Sequence, residues 1–330
     1  MSRRYHVAGI GNAIMDVLAH ADDDFLAVMD IDKGIMQLVD RDRAERLYAA
    51  MEDRTTAPGG SVANTLAGLG ALGLNTAFIG RVHDDPLGRR YATGMADAGT
   101  DFVNPPVRDG ELPTSRSMIF VSPDGERSMN TYLGISAELG PADVPDTVAR
   151  DCDYLFLEGY LFDKDKGKEA FLRAARLCHE AGGKPGIALS DPFCVDRHRE
   201  DFRLLVRDDM AFVIGNEDEW LGLYQTDALD AALAQAARDC ETVVCTRSGD
   251  PVILIRGDER VEVPVERVTP VDATGAGDQF AAGFLYGLAA GKGLDQAGQM
   301  GVMAAAEVIS HMGPRPEANM HARFAKAGLI

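Results

Sequence analysis

The sequence predicts an α/β fold: a mostly parallel central sheet covered by helices on both faces, with a smaller β-sheet laid over it as a lid. Two observations carry this prediction. Short β-branched or aromatic runs alternate with longer segments of helical periodicity, as in a parallel sheet whose crossovers are helices. A strong turn signal, Pro123-Asp124-Gly125, then breaks the rhythm between two strand-like runs and marks an antiparallel piece outside the main sheet.

Strands of the main sheet are expected over His6–Ile10, Thr76–Val82, Tyr154–Gly159, Gly186–Ser190, Ala211–Gly215 and Thr242–Thr246. Helical patterns separate them, among them Ser61–Leu72, Lys168–Ala181, Ala228–Asp239 and Gln279–Ala290. Thr114–Val121 and Arg127–Leu133 read as the hairpin, and Ile14–Ala21 and Ile35–Asp40 add strands to it. The lid is therefore drawn from discontinuous segments within about 13–40 and 110–134 of a single domain spanning 1–330. A second hairpin is expected late in the chain, Val252–Arg256 with Arg260–Val265 around Gly257-Asp258. No repeat, low-complexity tract or linker interrupts the pattern.

Charge narrows the choice of partners. Thirty-three basic against 52 acidic residues give −19, a surface that repels phosphate backbones and anionic lipid. Nucleic acid and membrane are thus excluded as expected partners. Five scattered cysteines without a CxxC pair read as reduced, mostly buried thiols. The N-terminus lacks an apolar signal core, and no run approaches the ~18 apolar residues of a membrane span. A cytoplasmic protein is expected.

The most informative stretch is Asp272-Ala-Thr-Gly-Ala-Gly-Asp278, followed at once by an apolar helical pattern. Small residues at Gly275, Ala276 and Gly277 leave amides bare where a helix begins, so unpaired N–H groups and the positive end of the dipole converge on one point. Asp278 could be a helix cap and nothing more. A cap does not explain three consecutive tiny residues, or Asp272 and Thr274 before them. Donors for a transferring phosphoryl group, with a base beside them to accept a hydroxyl proton, explain both. Rival glycine motifs fail. Gly287–Gly293 has the wrong spacing for a P-loop and Gly293 where a hydroxyl is required, so it reads as a helix end. Gly9-Ile-Gly11 lacks the third dinucleotide-binding glycine, Ile14 standing in its place. That break argues against an oxidoreductase.

Asn12 and Asp16 instead read as polar groups at a strand end, suited to gripping vicinal hydroxyls, or as turn residues bonding their own backbone. Gly59-Gly60-Ser61-Val62-Ala63-Asn64 opens a helix; its glycines admit a ligand close to the backbone, or a tightly packed helix. Asn216 and Glu219, three apart at a helix start, share a face; they read as hard oxygen ligands for Mg²⁺ or as a cap. Asp191, Cys194, Asp196, His198 and Glu200 match no metal pattern and read as a solvated loop.

Together GGSVANTLAGLGALG and DATGAGDQFAAGFLYG resemble the two signatures of the PfkB (ribokinase-like) carbohydrate kinase family. The resemblance covers most of the chain; within the family, the DDDFL and SPDGERSMNTYLG segments are most similar to adenosine kinases. It implies a ribokinase-like three-layer α/β/α fold and an ATP- and Mg²⁺-dependent kinase acting on a nucleoside or sugar hydroxyl. The 5′-hydroxyl of adenosine is the expected acceptor; ribose, fructose or ketodeoxygluconate are the alternatives. A non-catalytic binding protein on the same fold would have no use for a base in an anion hole. At matching positions Asp278 is the base, and the amides of Gly275, Ala276 and Gly277 form the anion hole. Asn12, Asp16, Gly59, Gly60, Ser61, Asn64, Met129 and Thr131 would bind the acceptor. Asn216, Glu219, Thr246, Ser248 and Gly249 would bind ATP, with Glu219 reaching Mg²⁺ directly or through water. Asp272 and Thr274, with carbonyls near Gly313, would hold a monovalent cation such as K⁺. Two positions depart from the adenosine-kinase pattern: Gly34 replaces a glutamine, and Thr131 a small apolar residue. A monomer or a homodimer is compatible with the sequence.

Overall fold

The computed structural model describes residues 3–330. Its strands begin with β1 (Tyr5–Ile10), β2 (Ile14–His20), β3 (Met36–Leu38), β4 (Thr55–Gly59), β5 (Thr76–Ile79), β6 (Thr100–Phe102), β7 (Ser115–Val121) and β8 (Arg127–Tyr132). They continue with β9 (Cys152–Glu158), β10 (Lys184–Ala188), β11 (Phe212–Asn216), β12 (Thr242–Arg247), β13 (Asp250–Arg256) and β14 (Glu259–Val263).

Nine of these form one sheet in the order β14-β13-β12-β11-β10-β9-β1-β5-β6, parallel from β6 through β12. The late hairpin, β13 with β14, extends the edge antiparallel to β12. Alternation of side chains splits the core in two, as a period of two requires when both faces are covered. Leu155 and Leu157 of β9 face one cluster and Phe156 the other; Val213 and Ile214 of β11 divide in the same way. A mostly parallel central sheet with an apolar core on each face is the α/β architecture expected from the sequence.

From β1 the chain adds strands first on one side, β5 and β6, and then on the other, β9 to β12. Such a reversal opens a crevice at the carboxyl ends of the strands between the two directions, here those of β1 and β9. Asn12 follows β1 and Glu158 ends β9, so both stand at that crevice.

The second sheet runs β3-β8-β7-β2-β4. The anticipated hairpin is its centre, and β2 and β3 join as expected. β4 was not anticipated: its sequence, TTAPG, carries a proline and no apolar alternation. It is an edge strand beside β2, where proline is tolerated. Met15, Val17, Met118 and Phe120 on one face of the small sheet pack with Leu26, Ala44 and Leu47 from helices Asp23–Val28 and Arg41–Ala50.

The segment read as a solvated loop is helical over Pro192–Asp208, with a kink at His198, whose φ of −122° and ψ of 23° leave the helical range. Asp191 caps it by accepting the Cys194 amide at 2.7 Å, Pro192 is its first residue, and Cys194 is buried. Its many charges lie on the outward side and mask the apolar stripe of Val195, Phe202, Leu205 and Val206. All five cysteines are free and buried. No described helix is long and apolar enough to cross a membrane.

Candidate active site

Helix Ala276–Ala289 begins where the glycine motif ends. Gly275 is its cap, at φ +80°, and a Cβ there would lie 2.6 Å from Pro314 Cα. Both the left-handed backbone and the close approach demand glycine. The amides are not equivalent: that of Ala276 donates to Ala273 O at 3.2 Å, closing the turn. Those of Gly275 and Gly277 have no such acceptor among the described residues, and a Cβ at Gly277 would meet nothing within 4 Å.

Asp278 stands in the first turn of this helix with its carboxylate held from the facing helix, Ser61–Ala71. Ser61 Oγ donates to Oδ1 at 2.6 Å and Asn64 Nδ2 to Oδ2 at 3.0 Å. Thr65 Oγ1 donates to the Asp278 carbonyl at 3.0 Å. Burial outweighs these bonds and pushes the Asp278 pKa up to about 6. Ser61 and Asn64, expected to contact the acceptor, thus orient the carboxylate that would activate it. Gln279, which the sequence reading passed over, is fully buried and donates to the carbonyls of Asn64 and Pro314, each at 3.0 Å. Its side chain ties both flanks of the motif together.

Across the crevice, Asp16 projects from β2 in one row with Ser117 and Thr131. Thr131 Oγ1 and Ser117 Oγ are 2.9 Å apart. Met129 lies two residues before Thr131 on the same face of β8. Burial pushes Asp16 up to about 7; Arg315 and Arg127 oppose the shift, and Asp278 adds to it. The approach of β4 to Asp16 requires Gly59, whose Cβ would fall 2.4 Å from Oδ2. Gly60 has φ +102°, and a Cβ on it would sit 2.2 Å from Asn12 O.

Asn12 does not reach freely into the crevice. Its backbone and side-chain N–H groups donate to Glu158 Oε1 at 2.7 and 2.8 Å, and its Oδ1 accepts from Ser136 Oγ at 3.0 Å. Glu158 also accepts the Val62 amide at 3.2 Å, and burial lifts its pKa to about 7. This residue was missed in the sequence. Its signal is an acid that closes a buried apolar strand, Tyr154-Leu-Phe-Leu-Glu158, at the crevice end of the sheet.

A cavity of about 780 Å³ runs from Ser61, Gly277 and Asp278 toward Val252, Val268, Ala306 and Ile309. All five residues expected to bind ATP line it: Asn216, Glu219, Thr246, Ser248 and Gly249. Asn216 and Glu219 form a reciprocal cap at the start of helix Glu217–Tyr224. Both Glu219 oxygens accept from Asn216, at 2.9 and 2.8 Å, while burial pushes the carboxyl up to about 7.

Asp272 is differently engaged from the cation ligand that the resemblance implies. Its Oδ1 accepts the Thr274 amide at 3.0 Å and its Oδ2 the Gly313 amide at 2.8 Å. Arg127 Nη2 completes the set at 3.0 Å from Oδ2.

A family model described as pfkB family carbohydrate kinase matches residues 26–320. The chain belongs to the pfkB family of carbohydrate kinases. This kinase superposes on a probable sugar kinase from Rhizobium etli CFN 42 with TM-score 0.91 at 43% identity, over 99% of this chain and 100% of the other. An adenosine kinase from Sinorhizobium meliloti gives TM-score 0.89 at 44% identity, over 98% and 99%. Among curated sequences, a fructokinase from Klebsiella pneumoniae is 31% identical over 71% of this chain and 77% of its own. The family membership makes the protein an ATP-dependent kinase that phosphorylates a hydroxyl group.

Proposed function

We propose that this kinase phosphorylates the 5′-hydroxyl of adenosine in the cytoplasm, with Asp278 as the base. One observation carries the reading: a carboxylate clamped by Ser61 and Asn64 sits at a helix N-terminus with bare amides, between the large cavity and the small sheet that presents Asp16. Adenosine is favoured by the Sinorhizobium meliloti adenosine kinase, to which the chain is similar along nearly its whole length.

Bound ATP supplies the phosphoryl group, and Mg²⁺ offsets charge on it. The chain supplies position, field and base. Gly275 and Gly277 direct amides, reinforced by the helix dipole, at the charge that develops on the transferred group, while Ala276 braces the turn. Thr246, Ser248 and Gly249 line the path of the nucleotide, and its base fits the apolar end around Val252 and Ile309. Glu219 and Asn216 would hold Mg²⁺ through water, since the Glu219 oxygens already accept from Asn216. Asp278, ionised at neutral pH with its pKa at about 6, takes the proton of the attacking hydroxyl. Asp16 and Thr131 hold the acceptor beneath the small sheet, which closes as a lid and keeps water from the phosphoryl group.

A free sugar is the second reading. It is favoured by the polar row Asp16, Ser117 and Thr131, where an apolar wall would suit a purine better. ADP release with adenosine, other nucleosides, ribose, fructose and ketodeoxygluconate separates the two. Selective turnover of adenosine is expected; selective turnover of ribose or fructose would overturn the acceptor assignment and leave the chemistry standing. Asp278→Asn is expected to lower kcat by about 10²–10⁴-fold with ATP binding retained. Undiminished turnover in that variant would remove Asp278 from the mechanism.

A further inference from the structure

The loop that bears the anion hole is joined to the small sheet through one buried ion pair. Arg127 leaves β8 on the face shared with Met129 and Thr131 and meets Asp272 at 3.0 Å; only 8% and 6% of the two side chains are exposed. The pair sits at a structural crossing. Through Thr274 N and Gly313 N, Asp272 fixes the start of the glycine motif against the 313–314 turn. Pro314 of that turn crowds Gly275 and accepts from Gln279 beside Asp278. The Asp272 carboxylate therefore sets the spacing of the whole motif, and a buried carboxylate in that role needs a positive partner. Arg127 provides one, its Nη2 standing 3.0 Å from Oδ2.

We propose that Arg127 is the built-in cation of this loop: it takes the place of a monovalent metal ion at Asp272, and it makes the anion hole complete only when the small sheet is docked. An alkali ion at Oδ2 would have to displace a guanidinium anchored in a strand. The motif therefore gains nothing from added K⁺. Because Arg127 arrives with β8, phosphoryl transfer is also coupled to closure over the acceptor.

The inference rests on the kinase reading of the site, so the test includes a measurement that needs no acceptor. Thermal unfolding of the ligand-free protein is followed in KCl, LiCl and tetramethylammonium chloride at equal ionic strength, for wild type, Arg127→Gln and Arg127→Lys. The wild type is expected to show the same Tm in all three salts. Arg127→Gln is expected to be stabilised specifically by KCl, and Arg127→Lys to behave like wild type. In the ADP-release assay, wild-type kcat should change less than twofold with KCl. Arg127→Gln should fall at least tenfold and recover in KCl but not in the other salts. A K⁺-specific rise in wild-type Tm, or a tenfold activation of wild type by K⁺, would overturn the proposal and can be read without any variant. So would an Arg127→Gln protein that is inactive or active to the same degree in every salt. If no acceptor turns over, the unfolding series still decides, which separates failure of this inference from failure of the acceptor assignment.

Discussion

At the scale of single residues, the site is a set of carboxylates held against their preference for water. Burial lifts Asp278 to about 6, and Asp16, Glu158 and Glu219 to about 7. A base acts only when ionised, so kcat/KM should fall as pH drops through about 6, approaching tenfold per pH unit below it. A pH–rate profile flat down to pH 5 would contradict Asp278 as the base. Stability runs the other way. A carboxyl whose folded pKa lies above its unfolded value favours the fold fully at pH values below the ordinary carboxylate range, and loses that contribution as pH rises through the folded pKa. For Asp16 the window spans 3.8 to about 7. Asp16→Asn removes the charge and should raise Tm at pH 8 far more than at pH 4, while raising KM for the acceptor. Stability yielded for function is the usual pattern at such sites. Equal Tm gains at both pH values would show that desolvation of Asp16 is not the cause.

Elements place these groups by packing so close that side chains must be omitted. Gly60 is the sharpest case. It joins β4 to helix Ser61–Ala71 at φ +102°, with Asn12 O in the space a Cβ would take. Gly60→Ala should cost about 1–3 kcal/mol from backbone strain alone. Because Ser61 and Asn64 ride on that helix, the displaced N-terminus should also lower kcat at saturating substrates. Circular dichroism melts and steady-state rates check the two effects; a variant with wild-type Tm and kcat would refute the steric account. The reciprocal cap makes a milder prediction. Asn216→Ala loses a cap worth about 1 kcal/mol and frees Glu219, so KM for ATP should rise more than kcat falls.

For the whole molecule, the field of −19 charges dominates. The ion pairs that stud the surface are mostly exposed, such as Arg150–Glu180 and Lys184–Glu241. Pairs of that kind contribute about 0–1 kcal/mol each and weaken in salt. Self-repulsion of the excess acid also weakens as the screening length shrinks from ~30 Å at 0.01 M to ~8 Å at 0.15 M. Repulsion acts among all the uncompensated charges, so its relief should win. The wild-type Tm should climb by a few degrees over that range in NaCl and LiCl alike. A falling Tm would mean that the surface pairs matter more than the net charge.

The sequence by itself determined the elements whose periodicity and glycine chemistry are local. The strand–helix alternation gave the large sheet, Pro123-Asp124-Gly125 gave the hairpin, and DATGAGD located the helix N-terminus with its acid. What failed locally failed for physical reasons: β4 pairs through its backbone at an edge, and the charges of Pro192–Asp208 hide an apolar stripe narrower than the helix. Tertiary structure alone decided how the site's side chains are used. Asn12 turns to Glu158, Ser61 and Asn64 turn to Asp278, and Arg127 crosses from the small sheet to Asp272. Each joins residues far apart in the chain, and a buried polar group takes whichever partner the packing of distant elements brings within reach. Local sequence carries no record of that meeting.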